Sequence, residues 1–181
     1  MKKIIDELIN LEKHSPLWRE YFVCEQERLK ETLQLDSNAI EHIGSTAIAN
    51  ICAKPIVDIM VGVDTFPPSQ YLTDELMNIG YDELGNAGVP NRLYFRYRQK
   101  QSFNVHVVKR NGQHWKSNLA FRDYLKVYSE EAKRYENIKI KAVESGVSSL
   151  LRYSKEKSAI IEELVSRGLA WKTANSKVGK I

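Results

Sequence analysis

Two predicted strands with a short connection constrain this chain more than any other feature. The first strand ends in small residues, within the stretch Glu41–Thr46, where Gly44-Ser45 forms the turn. The second strand, Pro55–Val63, carries Asp58 in an otherwise apolar run. Twelve residues separate Ser45 from Asp58, which is room for a short helix and a return into the sheet. Because an acid in an apolar strand costs several kcal/mol unless it is paired or binds a metal, Asp58 is the first candidate for function.

The turn and the carboxylate together predict a phosphate site. A Gly-Ser turn after a strand lets backbone N–H groups approach a phosphate closely. A carboxylate on the next strand can hold the metal ion that accompanies the phosphate. The position two residues after Asp58, where a second acid would share the strand face, is Met60, which cannot supply oxygen to a hard cation. The usual two-metal arrangement is therefore incomplete in this sequence.

Composition places the chain among soluble, single-domain proteins. It has 181 residues, 43% of them hydrophobic and 28% charged, so extensive disorder is not expected. The formal net charge of +4 is compatible with an anionic ligand but too small for a dedicated nucleic-acid binder. Cys24 and Cys52 are isolated, which predicts reduced thiols and no structural zinc. With no apolar stretch of the ~20 residues that a membrane span needs, we expect a cytoplasmic protein.

The hydrophobic pattern predicts helices and strands up to Gly112 and helices beyond it. Predicted helices cover residues 2–13, 71–80 and a stretch from Ser15, as N-cap, and Pro16 to about Leu35. Predicted strands cover 39–43, 55–63, 92–98 and 103–108. The last predicted helix ends before Gly168, and the residues from Thr173 to Ile181 are predicted to fray. Four aromatic residues are predicted to lie in the core: Trp18, Phe22, Trp115 and Phe121.

With these pieces in place, the sequence resembles the GrpB family, small bacterial proteins assigned to the nucleotidyltransferase superfamily with its polymerase-beta-like fold. The matching segments are Glu41–Thr46, Ala53–Ile59, Asn104–Val107 and Phe121–Leu125, with Trp18 and Phe22 upstream and the pair Tyr153 and Lys157 downstream. The resemblance covers roughly residues 15–170. One departure is Ala49-Asn50-Ile51, where the family commonly has Pro-Gly-Leu.

This resemblance implies an α/β (α+β) fold. Residues 1–112 would form a nucleotidyltransferase-like core, a small mixed β-sheet with N-terminal helices. Residues 113–170 would add the helical C-terminal part of the same domain, and residues 171–181 a tail.

The resemblance also implies a ligand and a site. The ligand would be a nucleoside triphosphate held with a divalent metal, Mg²⁺ or Mn²⁺, and the reaction would transfer a nucleotidyl group to an unidentified acceptor. Asp58 and Ser45 would be catalytic. The nucleotide would contact Gly44, Ser45, Thr46, Lys54, Arg92 and Arg96. The candidate metal ligands are Asp58, His106, His42 and Glu41.

Strand alternation separates two of these metal candidates. Glu41 and His42 are neighbours on one strand, so their side chains point to opposite faces. His42 is favoured because it shares a face with Gly44, whereas Glu41 would be the hidden second acid. The three guanidinium groups of Arg92, Arg96 and Arg98 could clamp a polyanion or form a solvated face of the sheet.

Two other functions stay open. The first is a catalytically inactive module that binds a nucleotide or another phosphorylated ligand, and the loss of an acid at Met60 favours it. The second is a metal-dependent hydrolase or lyase that acts through Asp58 and His106. Structural explanations also stay open, since Asp58 could pair with Lys54 or an arginine, and His106 could be a hydrogen-bonded core residue. Nucleic acid and membrane are not expected as partners, and the oligomeric state stays open.

Overall fold

The computed structural model describes residues 6–178, in which a mixed five-stranded sheet has helices on both faces. The strands are β1 (Ile40–Ile43), β2 (Val57–Val63), β3 (Asp82–Glu83), β4 (Arg92–Arg98) and β5 (Ser102–Lys109). The helices are α1 (Leu17–Leu33), α2 (Gln70–Asn78), α3 (Gln113–Val127), α4 (Ser129–Glu144), α5 (Leu150–Glu156) and α6 (Ser158–Val178). Two short 3-10 turns, Ser37–Ala39 and Ser45–Ala47, flank β1. This arrangement confirms the predicted α/β fold with its helical C-terminal half.

The strand order is β1-β2-β5-β4-β3, and only the central β2–β5 pair is parallel. In the register, Asp58 lies opposite Asn104 on β5 and opposite Ile43 on β1. Met60 lies opposite His106 and Glu41. Because side chains alternate along a strand, all these residues lie on one face of the sheet, which we call the Asp58 face.

Helices α1 and α2 cover the opposite face. Alternate apolar residues of β2, namely Val57, Ile59 and Val61, meet the apolar stripe of α1 in the main core. That stripe contains Trp18, Phe22, Leu29 and Leu33, all buried. The burial of β2 between two layers explains its almost continuous apolar sequence.

The C-terminal helices cover the Asp58 face. Trp115 of α3 packs with Met60 and Val108 of the sheet in a buried apolar cluster. Helix α6 lies against α3, and a Cβ at Gly168 would stand 2.6 Å from the Ala120 carbonyl oxygen. Gly168 therefore lets the two helices approach closely. The prediction that the last helix ends before Gly168 is wrong, because α6 continues through this residue.

The N-terminal segment differs from the predicted helix over residues 2–13. Residues 6–13 are extended, with isolated bridges from Leu8 to Ser149 and from Glu12 to Ala53. Ile9 and Leu11 pack against a small apolar cluster, whereas Leu8 is 86% exposed. This alternation of exposed and packed side chains has the period of a strand. The backbone N–H and C=O groups of the segment form hydrogen bonds with distant parts of the chain, and these bonds outweigh the weak local preference for a helix. Residues 2–5 of this predicted helix lie outside the described part of the chain.

Two other boundaries differ. Helix α1 has Pro16 at its N-cap position, without a side-chain cap, so Ser15 does not play the predicted role. Residues 171–178, predicted as tail, continue α6. Tertiary contacts hold this end, because Trp171 packs against the C-terminal core and the Lys172 ammonium lies 2.6 Å from the Asp123 carboxylate. Residues 179–181 of the predicted tail lie outside the described residues.

Candidate functional site

A cavity of about 480 Å³ lies between the Asp58 face and the C-terminal helices. Its floor comes from the ends of β1, β2, β4 and β5, and its walls come from α3, α4, α5 and the first turns of α6. The polar lining residues are Ser45, Thr46, Lys54, Asp58, Arg92, Tyr94, Asn104, His106, Ser117, Asn118, Tyr135, Tyr153, Ser154 and Lys157. The apolar part includes Ile43, Val89, Leu150, Leu151, Phe121, Ile161 and Val165.

The Gly44 turn lies directly against the Asp58 carboxylate. Gly44 has φ +70°, and a Cβ built on it would stand 2.6 Å from Asp58 Oδ2. Glycine is therefore required both by the backbone conformation and by the space that the carboxylate occupies. The Ser45 hydroxyl, next in the turn, donates a long hydrogen bond to the Tyr135 hydroxyl at 3.4 Å. Thr46 is buried and lies at the edge of the cavity.

Asp58 is held by neighbours on the adjacent strand. Asn104 Nδ2 donates to Asp58 Oδ1 at 2.6 Å, and His106 Nε2 lies 3.5 Å from the same oxygen. Burial alone would raise the pKa of Asp58. The hydrogen bonds from His106 and Asn104, with the positive charge of Lys54, outweigh burial and hold that pKa well below its usual range. Asp58 is therefore an ionised carboxylate at neutral pH.

Asn104 joins this carboxylate to the N-terminal segment. Arg98 Nη2 donates to Asn104 Oδ1 at 2.8 Å, which orients the amide so that its nitrogen faces Asp58. Arg98 also donates two hydrogen bonds to the Glu7 carboxylate, at 2.8 and 3.1 Å. A chain of charged and polar groups thus runs from Glu7 through Arg98 and Asn104 to Asp58.

His106 is engaged at both ring nitrogens. Its Nδ1 lies 3.3 Å from Arg92 Nη1, and a guanidinium can only donate, so Nδ1 accepts. In the neutral ring the proton then resides on Nε2, which faces Asp58. Burial lowers the pKa of His106 although the Asp58 carboxylate opposes this, so the imidazole is neutral at pH 7.

These contacts do not fit a divalent metal. Within residues 6–178, no group of three or more His, Cys, Asp or Glu side chains is placed to hold a metal ion. Met60, in the position of the second acid, is fully buried in an apolar cluster. Both nitrogens of His106 are committed, one of them to a cationic partner. A Mg²⁺ ion that prefers several oxygen ligands would find one partly engaged carboxylate beside two cations, Lys54 and Arg92.

The other two candidate metal ligands lie away from the cavity. Glu41 is on the Asp58 face but receives a hydrogen bond from Arg122 Nη1 at 2.6 Å. His42 is on the opposite face, contrary to the expectation from the sequence. Its ring stacks on Phe22 with centroids 4.8 Å apart, and its Nε2 lies 3.0 Å from Thr46 Oγ1. The strand pairs His42 with Ile59, which decides its face.

The arginines of β4 separate into two groups. Arg92 lines the cavity, and its Nη2 donates to the carbonyls of Asn86 and Ala87. Arg96 and Arg98 do not line it, because the Glu7 carboxylate lies against both, 3.8 Å from Arg96 Nη1. The face is therefore neither a three-arginine clamp nor a solvated surface. Among the described residues, the Nε atoms of Arg92 and Arg96 are buried without a hydrogen-bond partner.

Three cations line the cavity against one carboxylate. The cations are Lys54, Arg92 and Lys157. The Lys157 ammonium lies 4.6 Å from the centroid of the Tyr153 ring. In the part of the chain that the structure describes, Asp58 is the one acid that lines the cavity. With His106 neutral, the lining carries a net positive charge, which favours an anionic ligand.

Some lining residues were not recognised as such in the sequence. Ser117, Asn118 and Phe121 form one face of α3, although Phe121 was assigned to the core alone. Ile161 and Val165 follow Lys157 at four-residue spacing, and this helical spacing was the available signal for them. For Arg122, Asp123, Tyr153 and Lys157, the sequence leaves open whether they cap the cleft or form ion pairs between helices. Arg122 and Asp123 form ion pairs outside the cavity, whereas Tyr153 and Lys157 line it.

The fold and the site define an α/β protein with a partly open, cation-rich cavity on one face of a mixed sheet. Within residues 6–178, no helix is long and apolar enough to cross a membrane. Sequence and structure comparisons then place the chain: the profile described as GrpB protein matches residues 8–167, and the chain belongs to this family.

Related proteins come from several bacteria. The Glutamate-rich protein GrpB of Alkalihalophilus pseudofirmus is 30% identical over 159 residues, covering 84% of this chain and 91% of that protein. The UPF0157 protein YqkA of Bacillus subtilis is 31% identical over 156 residues, which are 86% of this chain but 46% of YqkA. This chain therefore spans about half the length of that relative. A crystal structure of the conserved protein GrpB from Enterococcus faecalis superposes with a TM-score of 0.79 and 32% identity, covering 90% of this chain and 99% of that one.

Proposed function

We propose that this protein binds a small phosphorylated ligand of the nucleotide class in the cavity, as a binding module that does not transfer a nucleotidyl group. One observation carries the proposal. Within residues 6–178, three cationic side chains, Lys54, Arg92 and Lys157, line the cavity together with a single carboxylate, Asp58. Its volume of about 480 Å³ is of the order that small-molecule ligands occupy.

The cavity has a polar and an apolar half, as a nucleotide has. Lys54, Arg92 and the hydroxyl groups of Ser45 and Thr46 belong to the sheet end of the cavity and the Gly44 turn. Phe121 of α3 and Ile161 and Val165 of α6 supply apolar and aromatic surface. Asn118 keeps its amide oxygen available, since its nitrogen donates to the His114 carbonyl. Charged donors for phosphate beside an apolar wall for a planar group suit a nucleotide.

The state of Asp58 argues for binding without transfer. Nucleotidyl transfer in the implied superfamily needs acids that hold metal ions at the phosphates. Here the second position is Met60, and Glu41 is paired with Arg122. Asp58 itself accepts a hydrogen bond from the Asn104 amide. Its role in the proposal is to orient Asn104 and His106 at the sheet end of the cavity.

Isothermal titration with ATP, GTP, CTP, UTP and inorganic tripolyphosphate, with Mg²⁺ present, tests the proposal. The wild type is compared with Lys157→Met, which removes a cavity cation. Lys155→Met, an equal charge change on an exposed side chain two residues away, is the matched control. We expect at least one compound to bind the wild type, and Lys157→Met to weaken it about tenfold or more, as for loss of a charged hydrogen bond. The control should bind like the wild type.

Absence of binding by every compound, or equal weakening by both lysine variants, would contradict the proposal. The two catalytic alternatives have their own readouts in the same samples. Release of pyrophosphate from a bound triphosphate, abolished by Asp58→Asn, would indicate nucleotidyl transfer. Release of inorganic phosphate with the same dependence would indicate hydrolysis.

A further inference from the structure

We propose that Lys54 supplies, from within the chain, the positive charge that a divalent metal would supply at such a phosphate site, so that the phosphorylated ligand binds without a metal. This inference rests on the proposed function and deepens it. It also explains why the cavity has a phosphate-compatible turn and an ionised aspartate but lacks the ligands for a cation.

The Lys54 ammonium is an uncommitted donor in the cavity. Lys54 lines the cavity, and among residues 6–178 its side chain makes no hydrogen bond and no ion pair within 4.0 Å. An ammonium has three N–H donors, so all three are available. Burial lowers the pKa of Lys54 although the Asp58 carboxylate opposes this, which means that the charge is partly desolvated and incompletely compensated. A phosphate would compensate it.

The backbone around Lys54 is held in place. The preceding residue, Ala53, exchanges two backbone hydrogen bonds with Glu12 of the N-terminal segment, at 2.8 and 2.9 Å. The Lys54 carbonyl accepts from the Ile56 N–H at 2.7 Å, and Pro55 restricts the residue before it. The lysine therefore projects from a fixed point at the start of β2, near Asp58 and the Gly44 turn.

The groups that would bind a metal are committed elsewhere. Glu41 is bonded to Arg122, and Met60 is sealed against Trp115. On the far side of Asp58, the Arg92 guanidinium faces His106 Nδ1 at 3.3 Å. A divalent cation in the cavity would be attracted by one carboxylate, Asp58, and repelled by Lys54 and Arg92. A phosphate would be repelled by Asp58 but attracted by both cations, so it binds beside the cations and not against the carboxylate.

The test measures binding of ATP, GTP, CTP, UTP and inorganic tripolyphosphate by titration calorimetry, once with EDTA and once with excess Mg²⁺. The variants are Lys54→Met, which removes the charge, and Lys54→Arg, which keeps it. Lys100→Met, on an exposed residue of the β4–β5 turn, is the control for net charge. Thermal melting establishes that each variant is folded.

We expect the wild type to bind in EDTA at least as tightly as with Mg²⁺, because Mg²⁺ reduces the charge of the ligand. In EDTA, Lys54→Met should weaken binding about tenfold to a hundredfold, the range for loss of a charged hydrogen bond. Lys54→Arg and Lys100→Met should each stay within a few-fold of the wild type.

Two results would overturn this inference and leave the proposed function standing. One is wild-type binding that appears only with Mg²⁺, and the other is metal-free binding that Lys54→Met does not change. Should Lys54→Met fail to fold, the comparison of EDTA with Mg²⁺ on the wild type still decides the metal question. If none of the five compounds binds under either condition, the proposed function fails, and this inference fails with it.

Discussion

The carboxylate of Asp58 fills the space above the Cα atom of Gly44, with Oδ2 placed 2.6 Å from where a Cβ would stand. The contact with Asp58 therefore explains why the Gly-Ser turn needs a glycine at position 44, without reference to any ligand. It admits the acid of the neighbouring strand while its backbone takes φ +70°. Any ligand that approaches the turn meets this carboxylate and the groups that hold it.

Gly44→Ala is expected to lower the free energy of unfolding by more than backbone strain alone, which costs about 1–3 kcal/mol. Gly85→Ala is the matched control, since Gly85 has φ +60° and no atom within 4 Å of an added Cβ. Urea unfolding of both variants measures the difference. In the double variant with Asp58→Ala, part of the Gly44→Ala cost should disappear. If Gly44→Ala and Gly85→Ala lower the free energy of unfolding equally, the contact between Asp58 and position 44 does not contribute to the cost.

His42 should make stability depend on pH. Burial lowers its pKa from 6.5 to about 4, so the folded protein holds the ring neutral where the unfolded chain protonates it. The unfolded state then binds more protons, and stability falls as the pH drops from 6.5 to about 4. Over this pH window, we expect the free energy of unfolding of His42→Gln to fall by about 3 kcal/mol less than that of the wild type. Parallel urea-unfolding curves at pH 7 and pH 4 measure it, and identical losses in the two proteins would refute the prediction.

Asn104→Asp should destabilise the protein by about 2 kcal/mol or more, because it replaces the hydrogen-bond donor to Asp58 with a like charge. The cost should shrink in acid, where one of the two carboxylates becomes protonated. Chemical unfolding at pH 7 and pH 4 provides the measurement. Asn118→Asp, the same change on the α3 wall of the cavity, is the control and should cost less. A neutral effect of Asn104→Asp would mean that Asn104 does not hold the carboxylate.

Met60 is expected to act as a core residue and not as part of the site. It is fully buried with Ile43, Val108 and Trp115. Met60→Ala should cost about 2–5 kcal/mol through the cavity it leaves, and Met60→Leu less than about 1.5 kcal/mol. Urea unfolding gives both values, and ligand titration of Met60→Leu should match the wild type. A large loss of affinity in a stable Met60→Leu protein would instead place the thioether at the ligand.

The sequence predicted the elements whose residues are buried by a regular pattern. Strands β2, β4 and β5 appear close to their predicted ends, because the apolar run along 57–63 and the alternation along 92–98 and 102–109 are strong signals. The two ends of the chain were predicted less well. The segment 6–13 is short, and its backbone partners, Ser148, Ala53 and Leu150, are distant in sequence. Local periodicity carries no information about such partners.

The candidate site shows the same division. Residue type and spacing singled out Gly44, Ser45 and Asp58, and the family resemblance added Lys54, Arg92 and His106; the structure places all six at one cavity. The separation of Arg96 from Arg92 follows from Glu7, about 90 residues earlier in the chain, which no local pattern connects to β4. The face of His42 follows from its pairing with Ile59 and not from the nearby glycine.

By itself, the sequence determined which strands are buried, that one acid must be compensated within them, and that a glycine turn lies nearby. These properties follow from hydrophobic period, burial cost and backbone sterics, all of which act over a few residues. Only the tertiary structure decided what compensates the acid: an amide, a neutral imidazole and a nearby lysine, with Met60 and Glu41 committed elsewhere. Register and helix docking set those partners, because electrostatic and hydrogen-bond energies depend on distances between groups far apart in the chain.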